Sequence, residues 1–152
     1  MAAVPSDGRP SRPAHRRAPA ALAWIAFSGQ ADHGWLRLLR PGFRHCFAAL
    51  RDDRGWTVLD PLTGRLLVVR LEVDRSFDLP GFYRRAGLTV LGPFEAAEAG
   101  SGSLLLASPF SCVTLCRAVL GPSAPLAWTP RGLHRRLITR VESRKKNLTL
   151  TG

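Results

Sequence analysis

A chain of 152 residues with 45% hydrophobic content is long enough for one domain with a packed core, which excludes a wholly disordered chain. No apolar run reaches the ~18 residues that cross a bilayer as a helix, and three cysteines, an odd number, do not make a disulfide framework. The net charge of +11 sits mainly at the ends, with +3 in residues 1–20, +6 in 131–152 and only +2 between them.

Residues 1–20, "MAAVPSDGRPSRPAHRRAPA", are rich in Pro, Arg and Ala and lack the periodicity to bury a face, so they read as a disordered basic arm. Residues 15–31 have the basic start and short apolar centre of a secretory signal, but the apolar run is at the lower limit and Arg and Pro crowd its approach. An arm followed by a first strand over 21–28 is the better reading, and a reduced, cytoplasmic setting is the expectation. "QADHGWLRLLRPG" (30–42) has Trp35, Leu36 and Leu39 on one side and Pro41-Gly42 as a stop, the pattern of a short helix.

Three strand-like runs follow: "RHCFAALR" (44–51), "GWTVLD" (55–60) and "RLLVVRLEV" (65–73). The separators "DDRG" and "PLTG" are turn sequences ending in Gly, so the spacing predicts an antiparallel meander. "DLPGFYRRAGLTVL" (78–91) adds a short helix and a strand, and "GPFEAAEAGSGS" (92–103) is a loop by composition. "SPFSCVTLCRAVLGP" (108–122) reads as a helix capped by Ser108 or Ser111 and stopped by Gly121-Pro122. "TPRGLHRRLITRVE" (129–142) reads as a second helix, with Thr129 as cap and Pro130 at its first position. The expectation is one α+β domain over 21–142, an antiparallel sheet packed by a Cys-bearing helix, with a mobile basic tail over 143–152.

The candidate chemistry starts at Cys112. It lies at a helix start, where unpaired N–H groups and the helix dipole favour a thiolate and can face a developing oxyanion. A cysteine nucleophile needs a base and a group that orients the base. His45 opens a strand of otherwise apolar residues. The "DDRG" turn folds the next strand back so that Asp60 lies beside or diagonal to it. An acid there holds the imidazole in one tautomer. Neighbours on a strand point to opposite faces, so Cys46 belongs to the core if His45 belongs to the site. Cys116, one turn beyond Cys112 among apolar residues, reads as a core thiol.

"FSCVTLCRAVLG" resembles the Cys-helix motif, and "RHCFAALRDDRGWTVLDPL" the His-strand and following hairpin, of the circularly permuted NlpC/P60 (papain-like) superfamily, in its lecithin retinol acyltransferase-like branch. The order His45, Asp60, Cys112 is the order of the permuted branch. The resemblance covers residues 43–121. Ser111 stands where many members carry Asn, and Asp60 stands where the acyltransferase branch favours a second His. The resemblance implies a permuted papain-like core and a cysteine-dependent hydrolase or acyltransferase. Its substrate would be an amide, ester or thioester, with Cys112 attacking, His45 as base, Asp60 orienting it, and no cofactor.

Three other uses compete for these residues. Each of the three, taken singly, also fits a structural part: a buried thiol, a strand His bonded to a carbonyl, a turn-initiating Asp before Pro61. Cys112 and Cys116 with Cys46 or His45 number enough for zinc, but no Cys-x2-Cys pair accompanies them. "RGLHRRLITRVESRKK" (131–146) is a basic amphipathic helix, and Arg135, Arg136, Lys145 and Lys146 are its candidate binding residues for an anionic partner. The plainer reading of that helix is an apolar side on the core and a solvated basic face. His134 within it reads as a surface residue, His33 as a loop or helix-end residue, and Gln30 and Trp35 as residues that line the cleft. The alternative to an enzyme is a non-catalytic binding or assembly module of the same fold, as in small bacterial or phage-derived proteins, with basic ends for an anionic partner.

Overall fold

The computed structural model describes residues 21–29, 43–62, 65–97 and 111–149. Five strands form one sheet: β1 (Leu22–Ser28), β2 (His45–Asp52), β3 (Gly55–Leu62), β4 (Arg65–Arg70) and β5 (Thr89–Glu95). The spatial order is β4-β3-β2-β1-β5, and every neighbouring pair is antiparallel. Three α-helices accompany it: α1 (Leu79–Arg85), α2 (Cys112–Leu120) and α3 (Pro130–Thr149). The protein is therefore α+β, with the expected meander running through β2, β3 and β4. The arm, the helix expected over 30–42 with His33, Gln30 and Trp35, and Ser108 lie outside the described residues.

The local chemistry of the β2–β3 turn sets the register on which the site depends. Asp52 Oδ1 accepts the Arg54 N–H at 2.8 Å, an Asx-type turn, and Gly55 at φ +121° takes a backbone that a side chain would strain. Asp52 also accepts two hydrogen bonds from Arg70, at 2.9 and 3.1 Å, which ties β4 to the same turn. The resulting register places Ala48 across from Leu59 and Ala49 across from Val58.

The centre of the sheet is buried on both faces, which is why β1 reads as an unbroken apolar run rather than an alternation, while the edge strand β4 is exposed. One face carries Ile25, Phe27, Cys46, Ala48 and Phe94 against Val113, Cys116 and Leu120 of α2 and Leu133 and Leu137 of α3. The other carries Trp24, Ala26, Phe47, Ala49, Trp56 and Val58 against Leu79 of α1, with Phe77, Tyr83 and Leu88 alongside. Trp24 and Trp56 meet with ring centroids 4.9 Å apart, and the Trp56 Nε1–H donates to the Phe77 carbonyl at 2.9 Å, so the buried indole keeps a partner.

Both long helices begin as their sequences dictate. Ser111 caps α2 in an extended conformation: its Oγ accepts the Thr114 N–H at 3.2 Å while Thr114 Oγ1 accepts the Ser111 N–H at 2.7 Å. The Thr114 hydroxyl thus performs the return bond that Glu or Gln makes in most such boxes. Gly121, at φ +72°, ends the helix. Thr129 Oγ1 accepts the Gly132 N–H at 3.1 Å and starts α3, with Pro130 at the first position.

Three boundaries differ from expectation. Residues 92–95 are not loop: β5 runs through Gly92 and Pro93 to Glu95, because Phe94 gains burial in the α2/α3 core and an irregularity opposite Ala23–Ile25 absorbs the awkward dipeptide. Gly92 lies at φ +136°, and a Cβ there would meet the Ala23 carbonyl oxygen at 2.8 Å. Strand β4 ends at Arg70 instead of Val73: the Leu71 N–H still reaches the Trp56 carbonyl in register, but beyond it Asp74 Oδ1 captures the Ser76 N–H in a turn. Helix α3 continues past Glu142 to Thr149, through the segment expected as a mobile tail, since nothing in "SRKKNLT" breaks a helix already nucleated and packed. Among the described residues no helix is long and apolar enough to cross a membrane.

Candidate functional site

His45 is the first residue of β2 and lies on the sheet face of Phe47, with which its ring stacks at 6.3 Å between centroids. Asp60 lies on β3, and the register that sets Ala48 across from Leu59 leaves the two diagonal on that same face. The His45 Nε2–H donates to Asp60 Oδ1 at 2.6 Å, and the two side chains are 18% and 25% exposed. A carboxylate on Nε2 fixes the tautomer, so Nδ1 is the nitrogen left to accept a proton.

Cys46 points to the opposite face and is fully buried, with its sulfur 3.7 Å from that of Cys116. Cys112 is the first residue of α2, partly exposed, and packs at the rim of the same core. It lies near both strand neighbours, close enough for the Cys46 thiol and the His45 imidazole to shift its pKa. Cys112, His45 and Asp60, expected together from the sequence, are brought together at this end of the sheet. His45 comes from one face and Cys112 from the other.

The electrostatics of the group are set by burial and by these contacts. Burial pulls the His45 pKa down, but hydrogen bonds to Cys112 and Asp60 and the attraction of both groups outweigh it and lift the pKa from 6.5 to about 9. The neighbouring Cys46 thiol and burial push Cys112 well above the ordinary thiol range, while His45 and the Cys46 backbone pull the other way. For Cys46, the Cys112 contact lowers the pKa, but Cys116 and burial win and raise it. The neighbouring thiol and burial thus act against the thiolate expected at the helix terminus. At neutral pH the site holds an imidazolium and a thiol, one proton more than a working pair needs.

A cavity of about 430 Å³ opens beside His45 and Asp60 and is walled by Phe47, Leu62, Leu88 and the Ala86–Gly87 turn. Cys112 does not line it; the cavity lies on the α1 side. Tyr83 of α1 sets its ring edge-on to Phe47 at 5.3 Å, and burial and the Asp60 charge raise its pKa. Sequence reasoning missed Tyr83 and the Cys46–Cys112 contact. The single tyrosine of the chain, on a short helix with an Asp cap and Pro at its start, was a signal for the first; nothing in a linear pattern signals the second.

The other candidates fall elsewhere. Arg135, Arg136 and Lys146 are exposed on α3, and the Lys145 side chain lies outside the described residues. His134 is not a surface residue: it is half-buried between Phe27 and Phe43, at 5.1 and 4.5 Å between centroids, and burial lowers its pKa. Its position one residue after Leu133 turns it partly inward. Among the described residues no three His, Cys, Asp or Glu side chains converge as metal ligands do. Comparison with family models, with curated proteins and with solved structures finds no match to this chain.

Proposed function

We propose that the protein is a cysteine-dependent acyl hydrolase or acyltransferase with a Cys112–His45–Asp60 site on a permuted papain-like core. The observation that carries the reading is the His45 ring bonded to Asp60 at 2.6 Å, with Cys112 near enough to act on the same imidazole. A histidine placed only for packing needs neither an acid on its ring nor a thiol beside it.

The reaction follows from the geometry. Once His45 has lost its extra proton, Nδ1 takes the Cys112 thiol proton as the sulfur adds to the carbonyl carbon of an amide, ester or thioester. The negative charge that builds on the carbonyl oxygen meets N–H groups of the first turn of α2, among them that of Cys112, which no intrahelical carbonyl reaches. His45 returns the proton to the leaving group, and a thioester remains on Cys112. Water or an acceptor, deprotonated by His45, then releases the acyl group and restores the thiol. Asp60 stabilises the imidazolium at each stage. The cavity beside His45, with Phe47, Leu62 and Leu88 on its walls and the Asp60 carboxyl at hand, suits an uncharged leaving group or acceptor.

The test is acylation by p-nitrophenyl esters and small thioesters between pH 7 and 10, read by mass mapping of the adduct. The expected result is an acyl group on Cys112 that appears faster as pH rises toward 9 and is lost in His45→Ala. Adducts that form equally fast in His45→Ala, or on Cys46 and Cys116 as readily, would overturn the reading. A second reading, a non-catalytic module of the same fold, draws on the raised pKa of Cys112. It expects no acyl adduct at any pH, and binding to an anionic partner that survives Cys112→Ser and weakens with salt.

A further inference from the structure

The mechanism above uses one thiol, yet the structure lines up three. Cys112 is partly exposed at the start of α2, Cys46 is fully buried in β2 beside it, and Cys116 is fully buried one helical turn further in. The Cys46 and Cys116 sulfurs are 3.7 Å apart, and Cys112 packs at the rim of the same core, near enough to Cys46 for the two thiols to shift each other's pKa. All three are free thiols. Two buried thiols with no path of their own to solvent, packed beside a third that has one, form a chain from surface to core.

We propose that Cys112, Cys46 and Cys116 form an oxidative modification site that takes oxidising equivalents from a peroxide at Cys112 and stores them as a Cys46–Cys116 disulfide. Each step balances. Once His45 has lost its extra proton it takes the Cys112 proton, the sulfur attacks one peroxide oxygen, the O–O bond breaks, and the departing hydroxide collects the proton as water. Cys112 is then a sulfenic acid. The Cys46 sulfur attacks the Cys112 sulfur, the S–O bond breaks, and a second water leaves, giving a Cys46–Cys112 disulfide. Cys116 attacks the Cys46 sulfur from its other side, the Cys46–Cys112 bond breaks, and Cys112 leaves with the Cys116 proton as a free thiol. Cys46 thereby stops Cys112 at the reversible rung of oxidation, short of the sulfinic acid. The thiol chain is present whether or not Cys112 catalyses acyl transfer, so the proposal stands apart from that reading.

The experiment treats the full chain with hydrogen peroxide, quenches by alkylation and maps each cysteine by mass spectrometry. In the wild type, a Cys46–Cys116 disulfide is expected, with Cys112 still alkylated and the bond removed by dithiothreitol. Cys116→Ala should stop at the Cys46–Cys112 disulfide. Cys46→Ala should accumulate sulfinic Cys112, by about tenfold or more over wild type, because no thiol remains to intercept the sulfenic acid. Cys112→Ser should slow formation of the core disulfide, since the buried pair has lost its entry point. The proposal is overturned if sulfinic Cys112 accumulates as fast in the wild type as in Cys46→Ala. It is also overturned if Cys112→Ser forms the core disulfide at the wild-type rate. The wild-type and Cys116→Ala maps decide the matter even if Cys46→Ala does not fold.

Discussion

On the α2/α3 side of the sheet, β2 presents Cys46 and Ala48, small side chains against which α2 packs, so the start of the helix comes into contact with the strand. On the α1 side the strands present Trp24, Phe47 and Trp56, and the covering helix among the described residues is Leu79–Arg85. Large rings fill the middle of that face and leave the end near His45 open as a cavity. Small residues let the start of α2 approach the strand, and bulky ones stand beside the cavity at His45. The comparison teaches that the division of β2 into alternating faces, His45 and Phe47 one way, Cys46 and Ala48 the other, sets where each part of the chemistry sits.

The largest expected effects test the meeting of the two faces. Cys112→Ala removes the acyl adduct altogether. His45→Ala lowers the acylation rate of Cys112 by about 10²–10⁴-fold, the range of a positioned base, with the adduct measured at pH 9. A loss smaller than tenfold would show that the two residues, though in contact, do not work together.

Next come the cores themselves. Trp56→Ala on the α1 side and Leu137→Ala on the α3 side remove side chains that are at most 1% exposed. The expected losses are ~3–5 kcal/mol for the Trp and ~2–5 kcal/mol for the Leu, read by urea unfolding. Trp56 also strands the Phe77 carbonyl. If Trp56→Ala costs under 1 kcal/mol, the α1 face is not a core in its own right.

The His45 contacts make stability depend on pH. The folded pKa, about 9, lies above the unfolded value of 6.5, so the folded state holds the proton more tightly. The stabilisation is fully present below pH 6.5, declines as pH rises, and is gone above about 9. The thiol of Cys112, also raised, adds a loss of the same sign at higher pH. Asp60→Asn should flatten the dependence between pH 6.5 and 9 and move the acylation profile to lower pH. An unchanged pH profile of unfolding in Asp60→Asn would remove Asp60 from the site.

These contacts also mark how far the sequence could be read. The His45–Asp60 pair was legible because a hairpin register follows from turn length, and turn length is local. Cys46 facing the core followed from strand alternation, and the caps Ser111 and Thr129 from the chemistry of helix starts. The contact between Cys46 and Cys112 was not legible, because it depends on which turn of α2 abuts which residue of β2, across 66 positions of sequence. The raised pKa of Cys112 follows from that contact, so the expectation of a thiolate failed with it. Strand β5 was missed for a related reason: Gly92-Pro93 speaks locally for a loop, and only the burial of Phe94 on the far side of the sheet overrules it.

Smaller still is the effect of the cap that aims Cys112. Ser111→Ala should cost ~0.5–2 kcal/mol, and it should slow acylation beyond that loss by fraying the first turn. Ser111→Asn should keep both, since Asn caps as well. A variant that loses stability but acylates normally would place the first turn under the control of packing on β2.

The smallest expected change lies on the outer face of α3, and it separates the two sides of one helix. Leu133 and Leu137, four residues apart, are fully buried, while Arg131, Arg135 and Arg136 are exposed on the remaining surface. Burial of the first pair contributes ~1.5–3 kcal/mol each, whereas exposed charges away from caps and partners change stability by about 0.5 kcal/mol or less. The double substitution Arg135→Gln, Arg136→Gln should therefore leave the urea midpoint nearly unchanged. The same protein should elute from heparin at lower salt than the wild type if the basic face meets an anionic partner, because two cations fewer release fewer counterions. Equal elution with an equal midpoint would make these arginines a solvated face and nothing more. A midpoint that falls sharply would mean that α3 is packed on a side where the structure leaves it open.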